Sequence, residues 1–423
     1  MQYENTLAFA KSLDKKDTLR QFRSEYFIPK KNGKELIYFC GNSLGLQPKV
    51  TEKFIKAELD DWRIHGVEGH FNAKKPWLGY HHQFEKPLMN LLGAKKGEVV
   101  AMNQLTVNLN LMLISFYRPD KKKKKIILEA NAFPSDYYAA EQIIILRGGN
   151  PKKDLLELPL RKGESTHRTK DILDFIEQHK NETALIMLGA VNYYSGQFFD
   201  IAAISKKAKQ CGIIIGLDLA HAIGNLPLQL HKWDIDFATW CSYKYLNSGP
   251  GGVSGVFVHQ KHANESKIDR FGGWWGNDEK TRFKMLKHFE PSSGAQGWQL
   301  SNAPVLSMAA HAAALSVFEK TSMKELRAKS VLLSGYLRFL LQQNTASHFN
   351  VITPENPNER GCQVSIQMKN NGRKVFEILE QHGVIADWRE PDVIRVAPVS
   401  MYNTFEDVYR FSVLFSDAIK QVS

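Results

Sequence analysis

The residues best suited to covalent and acid–base chemistry in this chain are Lys244 and Asp218. Lys244 lies in Trp240-Cys241-Ser242-Tyr243-Lys244-Tyr245-Leu246-Asn247, just before the glycine-rich run Gly249-Pro250-Gly251-Gly252. Asp218 opens Asp218-Leu219-Ala220-His221, a short distance upstream. A lysine that condenses with an aldehyde and a carboxylate that keeps a pyridine nitrogen protonated are the minimal equipment of a pyridoxal phosphate site. Either residue alone would pass as a solvated lysine or a strand-ending acid. The pairing carries the signal.

The surrounding pattern explains how the two would meet. Ile213-Ile214-Ile215-Gly216-Leu217 is a short apolar run of the buried parallel-strand type, so Asp218 falls at a carboxyl end, where open α/β sheets place their ligand crevices. Asp236-Phe237-Ala238-Thr239-Trp240 delivers Lys244 at its own carboxyl end. Further strand-like runs at Lys125–Glu129, Ala184–Leu188 and Gly255–His259 alternate with amphipathic stretches between about residues 55 and 300. Such alternation predicts a mainly parallel sheet covered by helices. From Pro304 a helical pattern through Ala309, Ala313, Leu315 and Phe318 leads to a second region, where Gln363–Met368 alternates as a half-buried strand. The fold class read from these patterns is α/β, a large domain followed by a smaller α+β domain.

Composition narrows the class of function. With 423 residues, 43% of them hydrophobic, the chain can bury the cores of two domains. Cys40, Cys211, Cys241 and Cys362 are widely spaced and form no CxxC pair, which argues against a disulfide framework and against a zinc or other metal site. A reducing cytoplasm is the expected location. The N-terminus carries acidic residues and no long apolar core, and no apolar run approaches the ~20 residues that span a bilayer, so no membrane association is expected. The net charge of +12 includes the block Lys121 to Lys125, but the remaining excess is scattered and no nucleic-acid motif accompanies it. The block reads as the solvated turn before the strand at Ile126. No nucleic-acid partner is expected.

Seven segments together carry a family resemblance along nearly the whole chain. They are Gly41 through Pro48, Asn103 through Asn108, Phe133-Pro134-Ser135-Asp136, Asp218 through His221, Trp240 through Asn247, Arg282-Phe283-Lys284-Met285 and Ile394-Arg395-Val396-Ala397-Pro398. The chain resembles kynureninase, a fold-type I pyridoxal phosphate enzyme related to the class V aminotransferases. Lys244 and Asp218 indicate only the superfamily. Phe-Pro-Ser-Asp, Gly-Trp-Trp-Gly and Ile-Arg-Val-Ala-Pro narrow it to the family.

The resemblance implies a division into an N-terminal segment, 1–54, packing with the small domain, a cofactor-binding domain at 55–301, and a small domain at 302–423. Asn103 through Leu111 reads as a helix start with Thr106 near the cap, a natural phosphate site, although ordinary capping explains it equally well. The resemblance assigns phosphate binding to Leu105 and Thr106. It places Phe133 on the cofactor ring with Pro134, Ser135 and Asp136 completing that wall, and brings His221 to the cofactor; a core aromatic and a structural histidine are the plain alternatives. Tyr243 would reach the phosphate and serve as a proton donor. Trp274 and Asn302 match positions that reach the phosphate from a neighbouring subunit, which implies a homodimer with shared sites.

For the substrate carboxylate, a planar guanidinium offers two parallel charge-assisted hydrogen bonds. Arg395 is the candidate, with Arg282 and Arg389 as the alternative arginines. Ser43, His70 and Asn302 resemble positions lining an aromatic-ketone pocket. The implied reaction is hydrolytic cleavage of L-kynurenine, or its 3-hydroxy form, to anthranilate or 3-hydroxyanthranilate and L-alanine. Lys244, Tyr243 and Asp218 are the catalytic candidates. The rival reading is another enzyme of the same fold, such as a cysteine desulfurase or selenocysteine lyase, which would need a mobile nucleophilic cysteine in the small domain. Only Cys362 lies there, at the head of an alternating strand.

Overall fold

In the computed structural model, which describes residues 2–263, 265, 268–343 and 346–423, the apolar runs assemble into one seven-stranded sheet. Its spatial order is Val99–Ala101, Gly255–Val258, Phe237–Trp240, Ile214–Asp218, Thr183–Gly189, Lys125–Glu129 and Leu155–Leu158. The last five run parallel to one another, while Gly255–Val258 lies antiparallel to both of its neighbours. The mainly parallel α/β sheet expected from the sequence is therefore present, with one reversed strand. Its edge strands gave no signal: Val99–Ala101 is three residues long, and Leu155–Leu158 is interrupted by Glu157.

Thr183–Gly189 runs through the middle of the sheet and is buried from Thr183 to Leu188. Both of its faces are covered, so it reads as a continuous apolar run rather than an alternation. Because the neighbouring strands are parallel, Glu129, Gly189 and Asp218 end together on one edge, and the segment leading to Lys244 leaves the sheet on that same edge.

The second sheet has four antiparallel strands in the order Phe349–Val351, Val364–Met368, Val393–Val396 and Asp387–Arg389. Helices Met323–Gln343 and Phe405–Val422 bury Leu333, Leu337, Phe411 and Phe415 in one core with it. The N-terminal segment joins that core: Leu13 and Phe39 lie in it, and Ile37–Tyr38 pairs in parallel with Val384–Ile385. Asp14 accepts from the Phe405 and Glu406 amides at 2.8 and 3.0 Å, so the first helix caps the last. Helix Val305–Phe318 packs the other way, burying Met308, Leu315 and Phe318 in the core of the large sheet against helix Thr51–His65.

Three of the clustered lysines are occupied structurally. Lys123 Nζ donates to the Cys211 and Gly212 carbonyls at 2.7 and 2.9 Å, Lys125 pairs with Glu182 at 2.8 Å, and Lys124 lies 3.9 Å from Asp154. No helix among the described residues is long and apolar enough to cross a membrane.

Asp236, immediately before strand Phe237–Trp240, is 1% exposed. Its carboxylate accepts from the Ile215 amide at 2.8 Å and from His262 Nε2 at 2.9 Å, and it pairs with Lys261 at 2.9 Å and with Lys209. Burial opposes its ionisation, but the His262 hydrogen bond and the two lysine charges outweigh burial and hold it well below the usual carboxylate range. A depressed carboxylate stabilises the fold above its unfolded pKa, and that contribution is lost as pH falls towards the folded value. Asp236→Ala at neutral pH should cost about 3–5 kcal/mol, as expected when one partner of a buried ion pair is removed. Urea denaturation checks this; a loss under ~1 kcal/mol would show that the network is energetically idle.

Candidate active site

The strand ends surround a cavity of about 510 Å³, within the range that holds a cofactor with a small substrate. Its lining includes Ser43, Leu105, Thr106, Phe133, Ser135, Asp136, Asp218, His221, Tyr243, Lys244 and Arg395, eleven of the residues singled out from sequence. Lys244 Nζ lies 3.0 Å from His221 Nε2 and 5.8 Å from the centre of the Phe133 ring. Burial above all, then the Lys244 charge, pushes the His221 imidazole well below its ordinary pKa. That favours the neutral imidazole, whose Nε2 accepts a hydrogen bond from Lys244 Nζ.

Asp218 Oδ1 accepts from the Ala220 amide at 2.6 Å, which fixes the carboxylate at the start of the turn. Burial pushes both Asp218 and Asp136 upward, Asp136 further because the Asp218 charge faces it. Asp136 thus holds a proton and donates it to Asp218. The other Asp136 oxygen is buried without a hydrogen-bond partner.

Helix Leu105–Phe116 points its amino end into the cavity. Its cap residue, Gln104, makes no side-chain capping bond; the Gln104 amide instead donates to the Gly251 carbonyl at 3.2 Å. Thr106 lies one residue inside the helix, its hydroxyl 2.8 Å from that of Ser135. These fittings match pyridoxal phosphate: uncapped amides with two hydroxyls for the phosphate, an aromatic face for the ring, buried carboxylates for the pyridine nitrogen, and a lysine for the carbonyl.

Arg389, the alternative candidate for the substrate carboxylate, also lines this cavity; the remaining sequence candidates lie elsewhere. Pro134 is exposed at the first position of helix Pro134–Leu146. His70, whose Nδ1 donates to the Val67 carbonyl at 2.9 Å, and the exposed Asn302 share a second cavity of about 260 Å³ with Trp62 and Trp77. Trp274 is 53% exposed and donates to the Arg282 carbonyl at 3.1 Å. Arg282 is buried against Trp275, outside the main cavity.

Sequence reading passed over Glu129, Tyr193 and Asp387. Tyr193 and Glu129 line the cavity, and Tyr193 packs edge-on against Phe133 with ring centres 5.2 Å apart. Glu129 carried a usable signal: it ends the apolar run Ile126-Ile127-Leu128, just as Asp218 ends its own strand. Its two oxygens lie 3.2 Å from the Gly189 amide. A Cβ on Gly189 would stand 2.9 Å from one of them, so glycine there makes room for the carboxylate. No cation pairs with Glu129 among the described residues, and burial pushes its carboxyl up from 4.5 to about 7.

That shift dictates a pH dependence. An acid whose folded pKa is raised stabilises the fold fully below its unfolded pKa and loses that contribution as pH rises through the folded value. At ~1.4 kcal/mol per pKa unit, the change from 4.5 to about 7 amounts to about 3 kcal/mol. The cofactor-free protein should therefore lose stability between about pH 5 and pH 8, and Glu129→Gln should remove most of that loss. Parallel denaturation profiles for parent and variant across this window would refute the assignment.

Comparisons with known proteins agree with the geometry. The family profile described as the kynureninase C-terminal domain matches residues 326–414. The kynureninase of Flavobacterium psychrophilum is 46% identical over 99% of both chains, and that of Myxococcus xanthus is 49% identical over 97% of this chain and 96% of that one. Among solved structures, a cysteine desulfurase from Thermococcus onnurineus superposes with a TM-score of 0.77 at 18% identity, covering 91% of this chain and 95% of that one. A C-DES variant with glycine covalently linked to its pyridoxal phosphate cofactor gives a TM-score of 0.76 at 17% identity, covering 90% and 96%. The two structures share the fold, that of fold-type I pyridoxal phosphate enzymes. The full-length sequence matches go further: the chain belongs to the kynureninase family.

Proposed function

We propose that the protein is a pyridoxal phosphate enzyme that hydrolyses L-kynurenine, or 3-hydroxy-L-kynurenine, to anthranilate or 3-hydroxyanthranilate and L-alanine, a step of tryptophan breakdown or of nicotinamide cofactor supply. The observation that carries this reading is the convergence of Lys244, Asp218 and Arg395 on one cavity. When bound, pyridoxal phosphate supplies an electron sink for negative charge developing on the substrate.

The chain's own residues do the rest. Lys244 would hold the cofactor's carbonyl carbon and would carry the proton at the substrate α-carbon, with neutral His221 beside it to accept a hydrogen bond. Asp218 keeps the pyridine nitrogen protonated, and the proton on Asp136 steadies it. Phe133 sets the ring plane, while the amino end of helix Leu105–Phe116, with Thr106 and Ser135, holds the phosphate. Burial, foremost, holds the Tyr243 hydroxyl above the usual phenol range, so Tyr243 remains a proton donor at neutral pH as water attacks the γ-carbonyl and the Cβ–Cγ bond breaks. Arg395 binds the substrate carboxylate.

The rival sulfur chemistry has no support in the small domain. Cys362 is 2% exposed, and burial pushes its thiol up to about 12, so it carries almost no thiolate at neutral pH. The four unpaired cysteines fit the cytoplasm proposed here as the protein's location.

The site is completed by a second copy of the chain. Trp274, Phe283 and Met285 are more than half exposed, as are Trp62, which lines the second cavity, and Ile64 and Val67 close to it in sequence, and such apolar surface marks a buried interface. His70, Trp274 and Asn302 stand among or beside these residues, outside their own chain's Lys244 cavity. They serve the partner's site.

Purified protein incubated with each substrate should release the fluorescent aromatic amine, and borohydride should fix the cofactor on the Lys244 peptide. Lys244→Ala should abolish turnover. Release of neither amine, or reduction onto another lysine, sinks the reading. Sharing of sites has its own test. Lys244→Ala and Asn302→Ala homodimers should each be nearly inactive, and mixing them after dissociation should recover up to about a quarter of parental activity, since mixed dimers carry one intact site. No recovery would confine each site to a single chain.

A further inference from the structure

Two charges beside Arg395 have no part in the chemistry above: Arg389, which lines the main cavity, and Asp387, which bonds both arginines from behind that lining. Strand Asp387–Arg389 pairs antiparallel with Val393–Val396, and the register sets Asp387 directly opposite Arg395. Arg389, two residues along, projects from the same face. Asp387 accepts from Arg395 Nε at 3.3 Å and from its Nη2 at 2.8 Å. It also accepts from Arg389 Nη2 at 3.1 Å. The Tyr193 carbonyl takes a further Arg395 hydrogen bond, from Nη1 at 2.6 Å.

Arg395 is completely buried, so its surroundings decide what it can bind. A guanidinium has five N–H donors. Asp387 and Tyr193 together engage three of them on Arg395, which leaves two, enough for one carboxylate. The charge matches in the same way: two arginines against one aspartate leave a single positive charge. Elsewhere on the cavity wall, His221 is neutral, and Lys244 faces Asp218 and Asp136 across the cavity.

We propose that Asp387 is a specificity-determining residue that sets the carboxylate pocket at one net positive charge, so that it admits an amino acid with one carboxylate and rejects one with two. The proposal rests on the reading of Arg395 as the carboxylate-binding residue. A second carboxylate would find no free cation in this pocket, because Asp387 already holds Arg389 as well as Arg395. With Asp387 neutralised, Arg389 is released and can serve that second carboxylate. Kynurenine and alanine each carry one.

The test measures dissociation constants of the cofactor-loaded protein for L-alanine and L-aspartate by calorimetry, with no turnover required. The parent should prefer alanine. Asp387→Asn, which keeps size and shape, should shift the ratio of affinities towards aspartate by tenfold or more, and Asp387→Glu should leave the parental order. If Asp387 only braces Arg395, both ligands weaken together under Asp387→Asn and the unchanged ratio overturns the proposal. Arg389→Gln, which leaves the Asp387–Arg395 pair in place, provides an arm independent of the stability of the first variant. It lowers the pocket charge and should move the ratio further against aspartate; an unchanged ratio there also overturns the charge account. Arg395→Ala should weaken both ligands strongly. Unchanged alanine binding in that variant refutes the role of Arg395 itself, a result distinct from failure of the charge filter.

Discussion

A charge taken out of water must find an opposite charge or give up its ionisation. The sheet obeys this constraint by keeping its interior apolar: Ile215, Leu217, Ile186, Leu188 and Ile127 are all buried, and ionisable groups enter only where strands end. Glu129 and Asp218 end strands flanking Gly189, and Lys244 follows a third. Rigid strand ends thus bring groups together that none of the intervening loops could hold as accurately. The cavity exists because parallel strands present their carboxyl ends to one side.

The same residue type meets the constraint in opposite ways within one sheet. Asp236 is surrounded by Lys209, Lys261 and His262 and stays ionised, which makes it a fixed part of the scaffold. Glu129 and Asp136 have no such company, and burial drives them towards their neutral forms. A carboxyl poised to take or release a proton can respond to a ligand's charge; one locked by cations cannot. Asp387 is paired with two arginines that line the cavity, Arg389 at 2.9 Å and Arg395 at 2.8 Å.

Much of this was legible in the sequence, for reasons that can be stated. An acid or lysine closing an apolar run announces a strand end, and that signal located Asp218 and Lys244; it would have located Glu129 had it been applied evenly. Arg395 was marked by resemblance, in Ile394-Arg395-Val396-Ala397-Pro398, where the plain reading is a surface arginine ending a strand; the structure buries it inside Val393–Val396. Asp387 did not, because an acid in a short strand next to Trp388 and Arg389 looks like ordinary alternation until the register places it opposite Arg395. Strands Val99–Ala101 and Leu155–Leu158 were too short or too mixed to show a period. His70, Trp274 and Asn302 could be named only by resemblance, since their contacts within one chain lie outside the main cavity. The cap that Asp14 places on Phe405 and Glu406 has no local signature at all: the first of these bonds spans 391 residues.

That long-range cap bears on how the chain is made. Helix Leu7–Lys16 and strand Ile37–Tyr38 leave the ribosome long before their partners, Phe405–Val422 and Val384–Ile385. Domains generally fold as units in the order they emerge, and the large sheet, complete by Val258, can do so while translation continues. The opening segment cannot. Its apolar residues, Ala10, Leu13, Ile37 and Phe39, must wait unpaired until the small-domain elements emerge, and Asn42 and Ser43, which line the cavity, wait with them. The cavity is therefore completed only after those later elements have emerged, and the early segment's exposure to aggregation and to chaperones is set by how far along the chain its partners lie.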